Sequence, residues 1–171
     1  MDSRTNISQR RRRRSSGSVI LEWAFVMLPL FAVITFFFDL SYALFSWSTI
    51  QNAVREGCRY AITFQTDGSN GQDTSIKEIV ATNSMGLVTS SSSLIKVNYY
   101  TQTAPNTAIT TGGNVPNNIV EVSIQGYPLS WMFPISGTLV NPNRSTSPAA
   151  VNVYSSDVLG GYPAGVSSVA R

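Results

Sequence analysis

One carboxylate stands inside a run of twenty otherwise uncharged positions: residues 19–38 read VILEWAFVMLPLFAVITFFF, and Glu22 is their only formal charge. A carboxylate in hydrocarbon costs several kcal/mol near the bilayer centre and less near the surface, so it finds a partner, serves a function or snorkels to the interface. Gly17 lies five places ahead of it, where a basic leader meets the apolar run. The chain has no histidine, which removes Ser-His-Asp triads, Cys-His pairs, H-E-x-x-H zinc sites and every His-ligated metal. Cys58 is the sole cysteine, so an intrachain disulfide is impossible and the thiol is either a small buried group or a link to another chain. No catalytic, metal-binding or cofactor-binding set emerges, and no small-molecule substrate is implied; the chain does not read as an enzyme.

The element that must position Glu22 is a membrane helix. Twenty residues at 1.5 Å each cover about 30 Å, the thickness of a hydrocarbon core. Arg4 and Arg10 to Arg14 against Asp2 give residues 1–17 a charge of about +5, leaving the remainder near −2. Such a leader stays cytoplasmic, which orients the helix N-terminus inside and everything after about residue 48 outside, in a single pass of the cytoplasmic membrane. Nucleic acid is the lesser reading of the arginines, because an apolar span begins five residues later. A cleaved secretory signal is disfavoured by the length of the apolar stretch, the carboxylate within it and the lack of an A-x-A site after it. The leader itself is short of apolar side chains and reads as disordered in water, attracted to anionic headgroups.

The helical pattern continues past the span. Trp47, Ile50, Val54, Cys58 and Ala61 recur at three- or four-residue spacing, with Ser48, Gln51, Asn52, Arg55, Glu56 and Arg59 between them, so one helix is predicted over residues 18–62, roughly 65 Å long. Within it, residues 19–41 cross the membrane and 46–62 form an exposed amphipathic half; Tyr42, Phe45 and Trp47 fit an aromatic belt, and Asp39 reads as an interfacial charge. Pro29 denies the Phe25 carbonyl its helical donor and predicts a kink or loosening. Residues 63–136 read as a small α+β domain: a helix over 75–85 capped by Asp73 or Thr74 and closed by Gly86, strands over 94–99 and 119–124 forming an antiparallel pair, and a long polar loop between them with Gly112-Gly113 at its tip. Gly126 is expected to end the second strand. From 137 to 171 the chain is rich in Ser, Asn, Gly and Pro; a third strand over 150–154 is the only element expected, and little order around it. The fold class is therefore α+β, a long N-terminal helix followed by a small antiparallel sheet whose apolar face the exposed half of the helix covers.

The string Ser15-Ser16-Gly17-Ser18-Val19-Ile20-Leu21-Glu22 resembles the processing site of type IV prepilins and pseudopilins. That resemblance implies cleavage by a membrane prepilin peptidase between Gly17 and Ser18, and pairing of Glu22 with the N-terminal ammonium of a neighbouring subunit during assembly. Glycine offers no side chain to hinder backbone entry, and the arginines hold the bond at the cytoplasmic face. Ser18 stands where many major type IV pilins have phenylalanine, so N-methylation is not implied.

A second resemblance covers some forty-five residues. Glu22, Leu28-Pro29, Asp39, Gln51-Asn52-Ala53 and the segment Arg55-Glu56-Gly57-Cys58-Arg59-Tyr60-Ala61 are similar to the TadE-like module of tight-adherence (Tad, Flp) pilus systems. Cys58 departs from the customary alanine, and the large extra domain of some longer relatives is missing. The resemblance implies a pilin-like fold and a minor pilin or pseudopilin of bacterial pilus assembly, serving surface adherence and secretion. Its partners would be the prepilin peptidase, other pilins or pseudopilins, the Tad inner-membrane platform and the lipid bilayer. Within the helix motif, Glu56 with Arg59 is an ordinary i,i+3 surface pair. Gly57 costs about 1 kcal/mol relative to alanine in mid-helix, which implies close approach of another backbone, from the strand pair or a second subunit. An unprocessed signal-anchor protein with an extracytoplasmic binding domain stays open as the alternative; only the pilin reading requires the Gly17 junction.

Overall fold

The computed structural model describes residues 5–66, 70–129 and 150–171. The first four residues and the 137–149 part of the polar C-terminal segment lie outside them. The architecture is α+β: helix α1 (Thr5–Ile62), helix α2 (Gln72–Asn83) and strands β1 (Ile95–Thr101), β2 (Ala104–Ala108), β3 (Ile119–Pro128) and β4 (Ala150–Val158). The chain divides into two compact units, one holding α1 up to Ser41 and the other beginning at Tyr42.

In the first unit, α1 begins at Thr5, thirteen residues ahead of the expected Ser18, so the backbone of most of the leader is helical. Arginine is a good helix former and no proline interrupts the run, so the helix, once nucleated by the apolar segment, propagates back through it. Pro29 lies inside the helix without ending it. Residues 17–62 include a stretch long and apolar enough to cross a membrane, none of it buried within the protein. The hydroxyls of this stretch bond back to the helix itself: Thr35 Oγ1 donates to the Phe31 carbonyl at 2.9 Å and Ser41 Oγ to Phe37 at 2.8 Å. That satisfies each hydroxyl within the helix itself, as an apolar surrounding would require.

In the second unit the four strands form one antiparallel sheet in the order β2-β1-β3-β4. The expected pair is its centre, running from Ile95 opposite Ile124 to Tyr100 opposite Ile119. Alternation puts Val97 and Tyr99 of β1 and Val120 and Val122 of β3 into the core, where they meet Ile50, Ala53, Val54, Cys58 and Ala61 of α1 and Ile76 and Val80 of α2. The apolar spacing read from the sequence is thus the buried stripe of α1, except at its start. Trp47 is 47% exposed and Ser46 is fully buried instead: counting back from Ile50, position 46 lies closer to the stripe.

α2 runs over 72–83 with Ser84 at its C-cap, three residues earlier at its start than the expected 75–85 and not closed at Gly86, and three parts of the sheet differ from expectation. Part of the polar loop forms β2, which turns back on β1 and is exposed throughout; it contains Pro105 and shows no alternation, both suited to an edge. β3 continues through an irregularity between Ile124 and Tyr127, with Gly126 at φ +74°, and ends at Pro128. β4 extends four residues beyond the expected 154, and residues 159–171 go on to pack on the core through Leu159, Tyr162 and Val169. Residues 150–171 are therefore built into the fold, against the expectation of little order.

Candidate functional site

The candidate residues fall into two groups along α1. Gly17, Ser18 and Glu22 are exposed. Among the described residues a Cβ added at Gly17 would meet nothing within 4 Å, so no packing among them demands a glycine there. What glycine does change is the helix: it weakens the backbone locally by about 1 kcal/mol relative to alanine. Glu22 lies about 6 Å along the axis from Ser18, and among the described residues nothing pairs with it. Asp39, expected at the interface, is buried.

The second group, Arg55 to Ala61, divides by face. Arg55 is exposed. Arg59 reaches Glu56 at 3.9 Å, with the side chains 80% and 44% exposed, a pair worth a few tenths of a kcal/mol. Gly57 faces inward. A Cβ there would collide with Cγ2 of Val80 and touch Ile76 Cγ2 and Val122 Cγ1 at 3.6 Å. The glycine is thus required by close packing, as anticipated, but the approaching group is a side chain of α2 rather than a strand backbone. Cys58 is buried; burial pushes its thiol up, a hydrogen bond with Ser155 opposes this, and the charge of Asp157 adds to the rise. A thiol so held is a core group rather than an intermolecular link. Glu56, Arg59 and Tyr60 line an open cleft of about 320 Å³ with Thr63, Gln65, Ile79 and Asn83, along the seam of α1 and α2.

Sequence reasoning missed a polar cluster at the end of α1. Gln72, fully buried, donates from Nε2 to the Ala61 carbonyl at 2.9 Å and accepts from Asn114 Nδ2 at 3.1 Å. The Ala61 carbonyl, in the last turn of α1, also accepts from the Phe64 N–H at 3.2 Å, and Gln72 adds a side-chain bond that caps the helix end. Asp73, expected to cap α2, instead accepts from the Tyr99 hydroxyl at 2.7 Å and from Arg171 Nε at 2.8 Å. The true N-cap is Gly71, with no side-chain bond. Burial, and then Asp73, push the Tyr99 hydroxyl well above the usual phenol range, with Arg171 opposing. Nothing in the spacing of Gln72, Asn114 and Arg171 signals this cluster, which only the fold assembles. Among the described residues no group of three or more His, Cys, Asp or Glu side chains is arranged to hold a metal.

These features define a class of protein: a small α+β domain built on the C-terminal part of a helix that is, by length and composition, able to cross a membrane. One segment of that helix is similar to a known family: residues 17–59 match the family model described as TadE-like protein. No curated protein and no solved structure matches the chain. The matched segment begins at Gly17 and includes Gly17, Ser18 and Glu22 and, of the second group, Arg55 to Arg59.

Proposed function

We propose that this protein is a minor pilin or pseudopilin, inserted with its N-terminus in the cytoplasm, trimmed by a prepilin peptidase between Gly17 and Ser18, and used in assembling a Tad pilus. The observation that carries the reading is the TadE-like match over α1. The contrast between the two glycines of that segment supports it. Gly57 is accounted for by the core, whereas none of the described residues packs where a Gly17 side chain would be. A helix interior in which one residue is weak and unobstructed is a site where a peptidase can unwind and enter the backbone at least cost.

Cleavage would place a new ammonium at Ser18, on the same helix end as Glu22. In the assembled state the Glu22 carboxylate would accept that charge from a neighbour, offsetting the cost of its burial in lipid. The basic leader serves orientation and is then discarded. Residues 42–62 remain as the framework of the exported domain, facing the Tad platform and other pilins in the cytoplasmic membrane.

The test is the N-terminal sequence and intact mass of the protein from host membranes, with and without the prepilin peptidase. A chain starting at Ser18 only when the peptidase is present upholds the proposal. A chain that keeps its arginines in both cells refutes processing and favours the signal-anchor reading.

A further inference from the structure

Residues 159–171 are held at two ends and not between. At the near end Leu159 is buried, donates its N–H to the Asn118 carbonyl at 2.7 Å and accepts from Asn117 N–H at 3.1 Å. Tyr162 packs on Phe64 with ring centroids 4.6 Å apart and donates to the Asn114 carbonyl at 3.3 Å. At the far end the Val169 carbonyl accepts from Asn114 Nδ2 at 2.8 Å, and the Ala170 carbonyl accepts from Gln72 N–H at 2.8 Å. Arg171 completes that end. It donates from Nε to Asp73, donates from Nη1 to the carbonyls of Ile109 (3.1 Å) and Thr110 (3.0 Å), and lies 4.8 Å over the Tyr99 ring. Residues 163–168 between the two ends are exposed, and their main-chain bond, Val166 N–H to the Pro163 carbonyl, is internal.

The far end also performs a task the sequence left undone. α2 has no side-chain cap, and the first N–H groups of a helix need an acceptor; the Ala170 carbonyl supplies one to Gln72. Gln72 is the same residue whose side chain caps α1 at Ala61. One residue thus joins residues 170–171, the first turn of α2 and the last turn of α1.

We propose that residues 159–171 form a strap whose far end, Arg171 with Ala170, opens as a unit while the sheet stays folded, and that its opening loosens the first turn of α2 and the Gln72 cap on α1 together. The physical ground is that the far end is held mainly by polar bonds at a partly exposed site, which water can replace, with Val169 as its one apolar side chain packed, only partly buried, against the core. Segments of that kind open at lower free energy than the core they cover. The near end, with Leu159 and Tyr162 in the core, stays as the hinge. Gly160, Gly161 and Gly165 lie in or beside the free stretch, and Gly165 sits at φ +83°. The strap would act as a catch on the junction of the two helices, closed or released according to what Arg171 holds.

Hydrogen exchange of the full-length protein in detergent micelles, read by mass spectrometry in wild type, Arg171→Ala and Arg171→Lys, tests this. In Arg171→Ala, exchange in peptides covering 166–171 and 70–76 should rise roughly ten-fold or more, as when a bond to a charged group is lost, while peptides from β1 and β3 change by less than about two-fold. Arg171→Lys keeps the charge without the fork or the stacking; it should give the same pattern to a smaller degree, and it serves as the readout if the alanine variant fails to fold. Unchanged exchange in 166–171 and 70–76 would show that Arg171 is not the catch. An equal rise in the β1 and β3 peptides would show that the strap cannot open apart from the sheet, and either result overturns the proposal.

Discussion

Replacing Gly57 with alanine sets two effects of known size against each other. In an open helix the change would stabilise by about 1 kcal/mol, through helix propensity alone. Here the new methyl runs into Cγ2 of Val80 and reaches Ile76 and Val122. Val80 is fully buried and, being β-branched in a helix, has one strongly preferred rotamer, so it cannot turn away cheaply. Overpacking of this kind costs about 1–3 kcal/mol, and with α1, α2 and β3 all touching the site the upper part of that range applies. The net expectation is a loss of about 1–2 kcal/mol, read as a fall in the urea midpoint of the full-length protein in micelles. Val80→Ala removes the colliding group at a cost of its own. In that background Gly57→Ala should therefore become stabilising by about 1 kcal/mol, a reversal of sign that a double-mutant cycle isolates. If Gly57→Ala stabilises the protein with Val80 present, the packing account of this glycine is wrong.

Gly17→Val should abolish trimming by the peptidase while leaving stability, read from urea unfolding, within about 0.5 kcal/mol of wild type, since none of the described residues packs at that site. Gln72→Leu removes one bond from the Ala61 carbonyl, which keeps the Phe64 N–H, and one from Asn114 Nδ2, which keeps the Val169 carbonyl; at about 0.5–1.5 kcal/mol for each lost bond, a loss of about 1–3 kcal/mol is expected in the same denaturation assay. Cys58 should react with a maleimide at least about ten-fold more slowly in the folded protein than in urea, because the thiol is buried and its thiolate disfavoured. Tyr99 is held in its neutral form by burial and Asp73, so its contribution is complete below the unfolded phenol value near 10 and is lost as pH rises beyond it. Stability should therefore fall less steeply above about pH 10 in Tyr99→Phe than in wild type, as urea midpoints taken across that range would record.

What was legible in the sequence was whatever repeats with a period. The apolar run of α1 and the stripe Ile50, Val54, Cys58, Ala61 follow from spacing alone, and so does the central pair of β1 and β3, because Val97 and Tyr99 alternate with polar neighbours as Val120 and Val122 do. β2 escaped because an edge strand with neither face buried has no reason to alternate. The α2 cap escaped because its acceptor is the Ala170 carbonyl, a main-chain atom that carries no mark in the sequence. Asp73 has the type and position of a cap, but Tyr99 and Arg171 compete for its carboxylate more effectively than a main-chain N–H. Of the candidate site, Gly57 could be recognised by its cost in mid-helix, but the source of that cost lay in α2. Trp47 was drawn into the stripe by its size, whereas the helical angle favours Ser46.

The bond between Arg171 and Asp73 joins residues 98 positions apart in the chain, and this bears on the order of events during synthesis. A ribosome adds about 5–20 residues per second, so on the order of 5–20 s separate the appearance of α2's first turn from that of the residues that cap it. Over that interval the end of α1 and the start of α2 lack part of their hydrogen bonding, and the contacts that complete it are among the most distant in the domain, the kind that form slowly. The nascent domain therefore passes through a stage in which its helices are made but not closed. Whatever keeps the chain from premature association must act during that stage.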